Sequence, residues 1–233
     1  MAFRLAQSSA ASRRLVVPDE SSVEVTLFHD VFCAWSYIAD QRLQALRAEY
    51  GAEVRWSVRP FPLRAATAAP DKKERGAFAR HFRRAAREVE GKGVVADLWT
   101  SNDPPQSSLP PLIALEAARR ESPELERELL SAMRRAVFLR GMNVARLDVQ
   151  LELAEGVGIE MSSFVARLGA PSARLAVEES VADAEELGIK GVPALVIGGE
   201  WLMQGCRELT EYRQVIDKYL HERSGSPALH VVH

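Results

Sequence analysis

A single cysteine in the segment FHDVFCAWSYIADQRL, residues 28–43, is the feature of this sequence with the clearest chemical potential. Cys33 lies where an apolar strand pattern changes to a helical one. Backbone N–H groups are free at a helix N-terminus and the helix dipole adds positive charge there, so an anion is favoured. The position therefore predicts a reactive thiolate with a pKa below the usual ~8.5. The alternative is that Cys33 is a small buried apolar residue, as many free cysteines are.

Ser36 follows Cys33 by one helical turn, at the position where a dithiol site has its second cysteine. A hydroxyl can donate a hydrogen bond to a thiolate, but it cannot attack a disulfide. A thiol–hydroxyl pair therefore stops at the mixed disulfide and needs an external thiol to release the product. Taken alone, Ser36 is also an ordinary first-turn serine.

A second informative stretch is GIKGVPALVIGGEWLMQG, residues 188–205, followed by Cys206. Val192 and Pro193 open a predicted strand, where the Val192 backbone could pair with an extended peptide or a thiol substrate. Gly205 and Cys206 are predicted at the start of the last helix, where free N–H groups could hold a substrate carboxylate. A glycine-permitted turn and an inert small cysteine are the alternative interpretations.

The elements that must position these residues follow from the hydrophobic pattern. A buried strand at Val23–Phe28 leads into a helix that ends at Gly51, and a second strand ends at Pro60. Helical patterns then continue to about Gly188, before a hairpin around 198–200 and a last helix. This order predicts an α/β fold, with a four-stranded mixed sheet and a large helical insertion. The predicted units are a disordered leader (1–20), a discontinuous sheet domain (21–63 and 189–222), a helical cap domain (64–188) and a tail (223–233).

Composition narrows the function classes. The 233 residues carry a net charge of −2, which favours neither nucleic-acid nor membrane binding. Two cysteines do not indicate a disulfide-stapled secreted fold, so a cytoplasmic location with reduced thiols is expected. No apolar run approaches the ~20 residues that span a bilayer, and no Cys/His spacing indicates a metal site. One predicted helix face carries a run of arginines, interpreted as a solvated face or an anion-binding patch: Arg80, Arg83, Arg84 and Arg87.

Four separated blocks resemble one family. DVFCAWSYI, residues 30–38, resembles the D-x-x-C-P-W-C-Y-I-G motif of the FrnE-like branch of the DsbA family. The resemblance continues at VRPFPL, at FLRGMNVARLDVQLELAEGVGIE and at ELGIKGVPALVIGGEWLMQGCRE, so it covers roughly residues 23–220. It implies a thioredoxin fold with a helical insertion.

The same resemblance assigns roles to individual residues. It makes Cys33 the nucleophilic thiol and places Asp30 at the family's acidic position before it. It implies that Val192-Pro193 is a cis-proline loop facing the cysteine. The residues expected to bind substrate are Trp35, Val192, Pro193, Gly205 and Cys206, with Trp35 and Tyr37 flanking the thiol.

Two departures from the motif leave three hypotheses open. Ala34 replaces the proline and Ser36 replaces the second cysteine, which moves the site towards kappa-class glutathione transferases and 2-hydroxychromene-2-carboxylate isomerases. The first hypothesis is a thiol–disulfide oxidoreductase with a single-cysteine CxxS site. The second is a glutathione-dependent transferase or isomerase, and the third is a non-catalytic binding protein. No tightly bound cofactor is expected; glutathione or another small thiol is the expected co-substrate, and a homodimer is an open alternative.

Overall fold

The computed structural model describes residues 2–4, 22–65 and 68–224. Its strands are β1 (Ala2–Arg4), β2 (Val23–His29), β3 (Val54–Pro60), β4 (Ala194–Ile197) and β5 (Trp201–Gln204). They form one mixed sheet with the order β1-β5-β4-β2-β3. Strands β2 and β3 are parallel, and the other neighbouring strands are antiparallel.

Helices cover the sheet and fill the long connection between β3 and β4. The helices are α1 (Ala34–Tyr50), α2 (Lys72–Ala85), α3 (Asp97–Thr100), α4 (Leu109–Arg119), α5 (Pro123–Arg140), α6 (Leu147–Gly156), α7 (Met161–Gly169), α8 (Pro171–Glu186) and α9 (Leu209–Ser224). Helix α1 links β2 to β3, helices α2 to α8 form the insertion, and α9 follows β5. A short 3-10 turn at Gly51–Glu53 leads into β3.

The predicted thioredoxin-like mixed sheet with a helical insertion is confirmed, with one correction. Within the predicted leader, Ala2–Arg4 adds a fifth strand that pairs with Trp201–Met203 of β5. Pairing at the edge of the sheet satisfies backbone N–H and C=O groups that β5 would otherwise expose. A segment of three residues is too short to show the alternation of apolar and polar residues that predicts a strand. The rest of the leader, and the tail beyond residue 224, lie outside the described residues.

Strand β2 lies inside the sheet, between β4 and β3, and six of its seven side chains are buried. Only Glu24 is exposed along the strand, and Val25 and Leu27 are fully buried. Such a run suits a strand covered on both faces. The antiparallel register sets Phe28 opposite Ala194, which brings the end of β2 beside the start of β4.

A glycine turn joins β4 to β5, as the sequence predicts. Gly198 and Gly199 have φ values of 60° and 72°, a region that glycine enters without steric cost. A side chain at Gly198 would also overlap the hydroxyl of Tyr219 on α9. The turn therefore needs glycine both for its backbone and for the packing of the last helix.

Aromatic side chains attach the insertion to α1. Tyr37 stacks on Phe138 of α5 with ring centroids 4.7 Å apart, and Phe32 meets the edge of Trp99 at 6.0 Å. Phe82 of α2 contacts both of these insertion rings. Aromatic pairs at such distances add to the stabilisation that burial provides, so the sheet and the insertion share one core.

A buried ion pair also links α1 to α5. Arg134 Nη1 lies 2.6 Å from Asp40 Oδ2, and both residues are buried. Burial alone would raise the pKa of Asp40, but the guanidinium groups of Arg134 and Arg47 hold it below its usual value. Arg47 contacts the other carboxylate oxygen at 2.8 Å. The carboxylate therefore stays charged and balances a guanidinium that has no access to water.

We predict that Asp40→Asn lowers the free energy of unfolding by about 3 kcal/mol, because it leaves the buried Arg134 charge without its counterion. Urea denaturation followed by circular dichroism measures the loss. The matched control is Glu124→Gln, which removes an exposed ion pair with Arg127 and should cost less than ~1 kcal/mol. Equal losses in the two variants would contradict this account of the pair.

Candidate functional site

Hydrogen bonds of the Cys33 thiol connect the first helix to the loop before β4. Cys33 is the N-cap residue of α1 and only 6% exposed. The Ser36 N–H donates to its Sγ at 3.3 Å, and the thiol donates to the Val192 carbonyl oxygen at 3.4 Å. The Val192–Pro193 peptide bond is cis. The sulfur therefore lies between a helix N-terminus and a backbone acceptor, as the sequence placed it.

Burial works against the low pKa expected for Cys33. Burial raises the pKa of the thiol above its ordinary value, and the charge of Asp30 raises it further. The Ser36 N–H and hydroxyl act in the opposite direction, but they do not outweigh burial. The prediction from helix position counted the donors and omitted desolvation, which penalises a buried anion.

Ser36 is fully buried beside the sulfur. Its Oγ has no partner that meets hydrogen-bond geometry within the described part of the chain, although its proximity to Cys33 lowers the pKa of the thiol. A hydroxyl that is already bonded elsewhere could not turn to a thiolate. Ser36 is therefore free to donate when the sulfur becomes charged.

Asp30 organises the loop that precedes Cys33. Its carboxylate accepts hydrogen bonds from the Phe32 N–H at 2.6 Å and from the Leu63 N–H at 2.7 Å. The residue is completely buried, and this burial raises the pKa of its carboxyl group. Asp30 thus ties the turn before α1 to the segment after β3, and its predicted catalytic role remains a prediction.

A cavity of about 380 Å³ lies beside the thiol. All five residues expected to bind substrate line it, whereas Cys33, Ser36 and Asp30 do not. Val192 connects the two sets, since it borders the cavity and its carbonyl accepts the hydrogen bond of the Cys33 thiol. The lining residues are Trp35, Arg42, Arg84, Glu88, Val192, Pro193, Gly205, Cys206 and Glu208.

Gly205 and Cys206 lie in a loop and not at a helix start. Helix α9 begins at Leu209, three residues later than the cysteine. The Gly205 N–H donates to the Pro193 carbonyl at 2.8 Å, and the Arg207 N–H donates to the Tyr212 hydroxyl at 3.1 Å. These two N–H groups are occupied, so they are not the free donors that a helix start at Gly205 would supply, and substrate binding by Gly205 and Cys206 stays a prediction. The alternative interpretation, a glycine turn, fits the Gly205 φ of 81°.

Arg42 is the main residue of the cavity that the sequence did not indicate. Its guanidinium contacts Glu88 at 2.8 Å and Glu90 at 3.2 Å, and it donates to the Arg207 carbonyl at 2.8 Å. Nη1 also lies 3.7 Å from the Cys206 sulfur. Within the sequence, Arg42 is one polar residue of an amphipathic helix, and nothing marks its distant partners.

The two aromatic residues flanking the thiol have different roles. Trp35 lines the cavity; its Nε1 donates to His81 Nδ1 at 3.1 Å, and Arg84 lies over its ring at 5.5 Å. Tyr37 is buried against Phe138 in the core. Only Trp35 can contact a substrate.

Cys206 is half-buried on the cavity wall, and burial raises the pKa of its thiol to about 11. Across residues 2–4, 22–65 and 68–224, no three His, Cys, Asp or Glu side chains form a group that could hold a metal ion. The same residues contain no helix that is long and apolar enough to cross a membrane.

Comparison with known proteins identifies related sequences. The family profile of the DSBA-like thioredoxin domain matches residues 24–217. The ClpXP adapter protein SpxH of Halalkalibacterium halodurans is 26% identical over 178 residues, which make up 75% of this chain and 58% of that protein. The chain thus spans less than two thirds of the length of this curated relative.

Solved structures share the fold at low sequence identity. The cytosolic disulfide reductase DsbM from Pseudomonas aeruginosa, in a structure with GSH, has a TM-score of 0.65 and is 22% identical, covering 86% of this chain and 97% of that chain. A probable DsbA oxidoreductase from Streptomyces coelicolor has a TM-score of 0.69 and is 19% identical, covering 90% of this chain and 94% of that chain.

We predict that Cys33 in the free protein is alkylated by iodoacetamide with a pH midpoint above that of an unfolded cysteine. The reason is the raised pKa, which leaves the thiol protonated at neutral pH and forms the reactive thiolate only as the pH increases. The rate is measured by mass spectrometry between pH 6 and 11 in a Cys206→Ala background.

Ser36→Ala should move this midpoint higher still, since it removes a group that lowers the pKa of Cys33. Ser131→Ala on α5 removes a half-buried hydroxyl that accepts a hydrogen bond from Arg135 and is not among the groups that shift the pKa of Cys33, so it should leave the midpoint unchanged. A wild-type midpoint below that of the unfolded chain would refute the dominance of burial.

Proposed function

The chain belongs to the family of DSBA-like thioredoxin domains, and from this premise we propose that it is a thiol–disulfide oxidoreductase with a single catalytic thiol. The observation that carries the proposal is the position of the Cys33 sulfur at the N-cap of α1, in contact with Val192 at the wall of a cavity. A nucleophile, donors for its anion and room for a substrate thus occur together.

The proposed reaction is a pair of thiol–disulfide exchanges. The Cys33 thiolate attacks one sulfur of a substrate disulfide, a new disulfide forms on Cys33, and the other substrate half leaves as a thiolate. An external thiolate then attacks the substrate sulfur of this adduct and regenerates the Cys33 thiolate. Ser36 cannot take the place of the external thiol, because its oxygen forms no disulfide.

Substrate binding supplies a way for the Cys33 thiol to lose its proton to solvent. The thiol now donates to the Val192 carbonyl. A substrate backbone N–H that pairs with this carbonyl would compete with the thiol for the acceptor. The sulfur would keep the Ser36 N–H and gain the Ser36 hydroxyl, both of which favour the thiolate.

Glutathione fits the cavity as the external thiol. The lining includes two cationic groups, on Arg42 and Arg84, and two carboxylates, on Glu88 and Glu208. Glutathione carries two carboxylates and one ammonium group. On the cavity wall Arg84 offers a charge for a carboxylate and Glu88 or Glu208 a charge for the ammonium group, whereas Arg42 is already paired with both of these glutamates. The related DsbM has been solved with GSH. We therefore propose glutathione or a similar small thiol as co-substrate, with no tightly bound cofactor and with a cytoplasmic location.

We predict that oxidised glutathione converts the protein to a species with one glutathione on Cys33, because the chain places no second thiol at position 36 to displace it. Intact-protein mass spectrometry detects the adduct, and reduced glutathione should remove it. The variant Ser36→Cys should lose the adduct rapidly, because the thiol introduced at position 36 would form an internal disulfide with Cys33.

Cys206→Ala serves as the matched control and should keep the adduct. Absence of any adduct in the wild type at pH 8 to 9 would refute the oxidoreductase proposal. Thermal stabilisation by reduced glutathione without an adduct would instead favour a glutathione-dependent transferase or isomerase.

A protein-binding role without turnover is the second candidate function, favoured by the similarity to the adapter SpxH. The two roles differ in their dependence on the thiol. We predict that Cys33→Ser abolishes exchange between hydroxyethyl disulfide and glutathione, measured with a glutathione reductase coupled assay, because a hydroxyl forms no mixed disulfide. Wild-type exchange no faster than that of free cysteine would favour the binding role. A transferase activity that survives Cys33→Ser would favour the second enzymatic hypothesis.

A further inference from the structure

Arginines gather on one side of α2 next to the site. Arg80, Arg83 and Arg84 occupy positions i, i+3 and i+4 of the helix, and Arg87 lies in the turn that follows Ala85. The sequence pattern placed Arg87 on the helix as well, but the helix ends two residues earlier. All four side chains are exposed, and we call them the basic face.

The basic face is not neutralised within the described part of the chain. None of its four guanidinium groups forms an ion pair with a described acidic residue, whereas Glu88 and Glu90, the nearest acidic residues in sequence, contact Arg42 instead. Like charges at helical spacings of three and four destabilise a helix. Repulsion between these arginines therefore destabilises α2. Since the net charge of the whole chain is −2, the lack of acidic partners is a local feature of this helix and does not reflect the composition of the protein.

The basic face begins at the rim of the cavity beside the thiol. Arg84 and Trp35 both line this cavity, and the Arg84 guanidinium lies 5.5 Å from the centre of the Trp35 ring. The Trp35 indole N–H donates a hydrogen bond to His81, which follows Arg80 on α2. Partial burial and then the charges of Arg84 and Arg80 lower the pKa of His81, so the imidazole is neutral and adds no charge of its own.

We propose that the basic face binds an acidic segment of a polypeptide substrate whose disulfide reaches Cys33. This inference rests on the proposed function and names its substrate class. Arg80 and Arg84 lie four residues apart on α2, a rise of about 6 Å along the helix, and Arg87 extends the basic face into the turn after α2. About two residues of an extended peptide cover the helical part of this length. Arg80, Arg83 and Arg87 do not line the cavity that a glutathione-sized ligand would occupy.

The chemistry is the same exchange with a larger substrate. The Cys33 thiolate attacks the disulfide sulfur of the acidic peptide, forms the Cys33–peptide disulfide and releases the partner half as a thiolate. The basic face takes no part in bond making. It raises the local concentration of anionic substrates and orients them, which affects the association rate and the salt dependence.

Two symmetrical peptide disulfides test the proposal, one with glutamates flanking the cysteine and one with glutamines. Single-turnover formation of the Cys33–peptide disulfide, followed by mass spectrometry, should be about tenfold faster for the acidic peptide at low salt. The preference should vanish near 1 M salt, where the screening length is about 3 Å. The triple variant Arg80→Gln/Arg83→Gln/Arg87→Gln should lose most of the preference yet exchange normally with neutral hydroxyethyl disulfide.

The matched control removes three exposed arginines from other elements: Arg55→Gln/Arg127→Gln/Arg174→Gln. This variant should keep the preference. Equal wild-type rates for the two peptides, or a preference that persists in the Arg80/Arg83/Arg87 variant, would overturn the inference.

A binding measurement separates this inference from the proposed function. Fluorescence anisotropy with the same peptides carrying serine in place of cysteine needs no reaction at Cys33. Tighter binding of the acidic peptide, weakened about tenfold in the Arg80/Arg83/Arg87 variant, supports the basic face even if Cys33 proves unreactive. Equal affinity for both peptides overturns it even if Cys33 exchanges with small disulfides.

Discussion

The site depends on the balance of forces on one buried sulfur. Burial disfavours charge on Cys33, the Ser36 N–H favours it, and the Val192 carbonyl accepts a hydrogen bond from the protonated thiol. This balance requires the first turn of α1 and the loop before β4 to meet within hydrogen-bond distance. The antiparallel pairing of β2 with β4 provides that meeting, because Phe28 lies opposite Ala194. The sheet therefore sets the protonation of the thiol as well as its position.

The helical insertion contributes as much to the site as the sheet does. Its rings pack on Phe32 and Tyr37 and so fix the two ends of the segment that carries the thiol. Arg134 enters the core to balance Asp40 on α1. Helix α2 supplies one wall of the cavity, and the turn after it supplies the carboxylates that contact Arg42. An insertion that only covered the sheet would need none of these polar contacts.

Charge is separated locally in a chain that is almost neutral as a whole. Carboxylates of Glu88, Glu90 and Glu208 surround the guanidinium of Arg42 and leave the inner cavity with paired charges. The arginines of α2, a short distance along the same rim, have no such partners among the described residues. A small zwitterionic thiol and an anionic polypeptide would therefore use adjoining parts of one surface, and a single thiol could serve both in successive steps of one exchange cycle.

Local patterns in the sequence determined most of the fold and indicated which residues lie at the centre of the candidate site. The apolar run of β2, the glycines at 51, 198 and 199, and the proline at the start of α5 each act over a few neighbours, so their effects can be predicted one by one. The same holds for Cys33 at a helix N-cap, since a strand followed by a helix defines that position.

Tertiary structure alone decided the features that join distant segments. Nothing in the sequence around Arg42 or Arg134 indicates the carboxylates that folding brings to them. In the same way, no local pattern shows that the Gly205 N–H donates to the Pro193 carbonyl. The pKa of Cys33 belongs to this group. Hydrogen-bond donors near a thiol can be predicted from a helix boundary. Desolvation depends on all the residues that pack around the sulfur, most of them distant in sequence, so no local pattern predicts it.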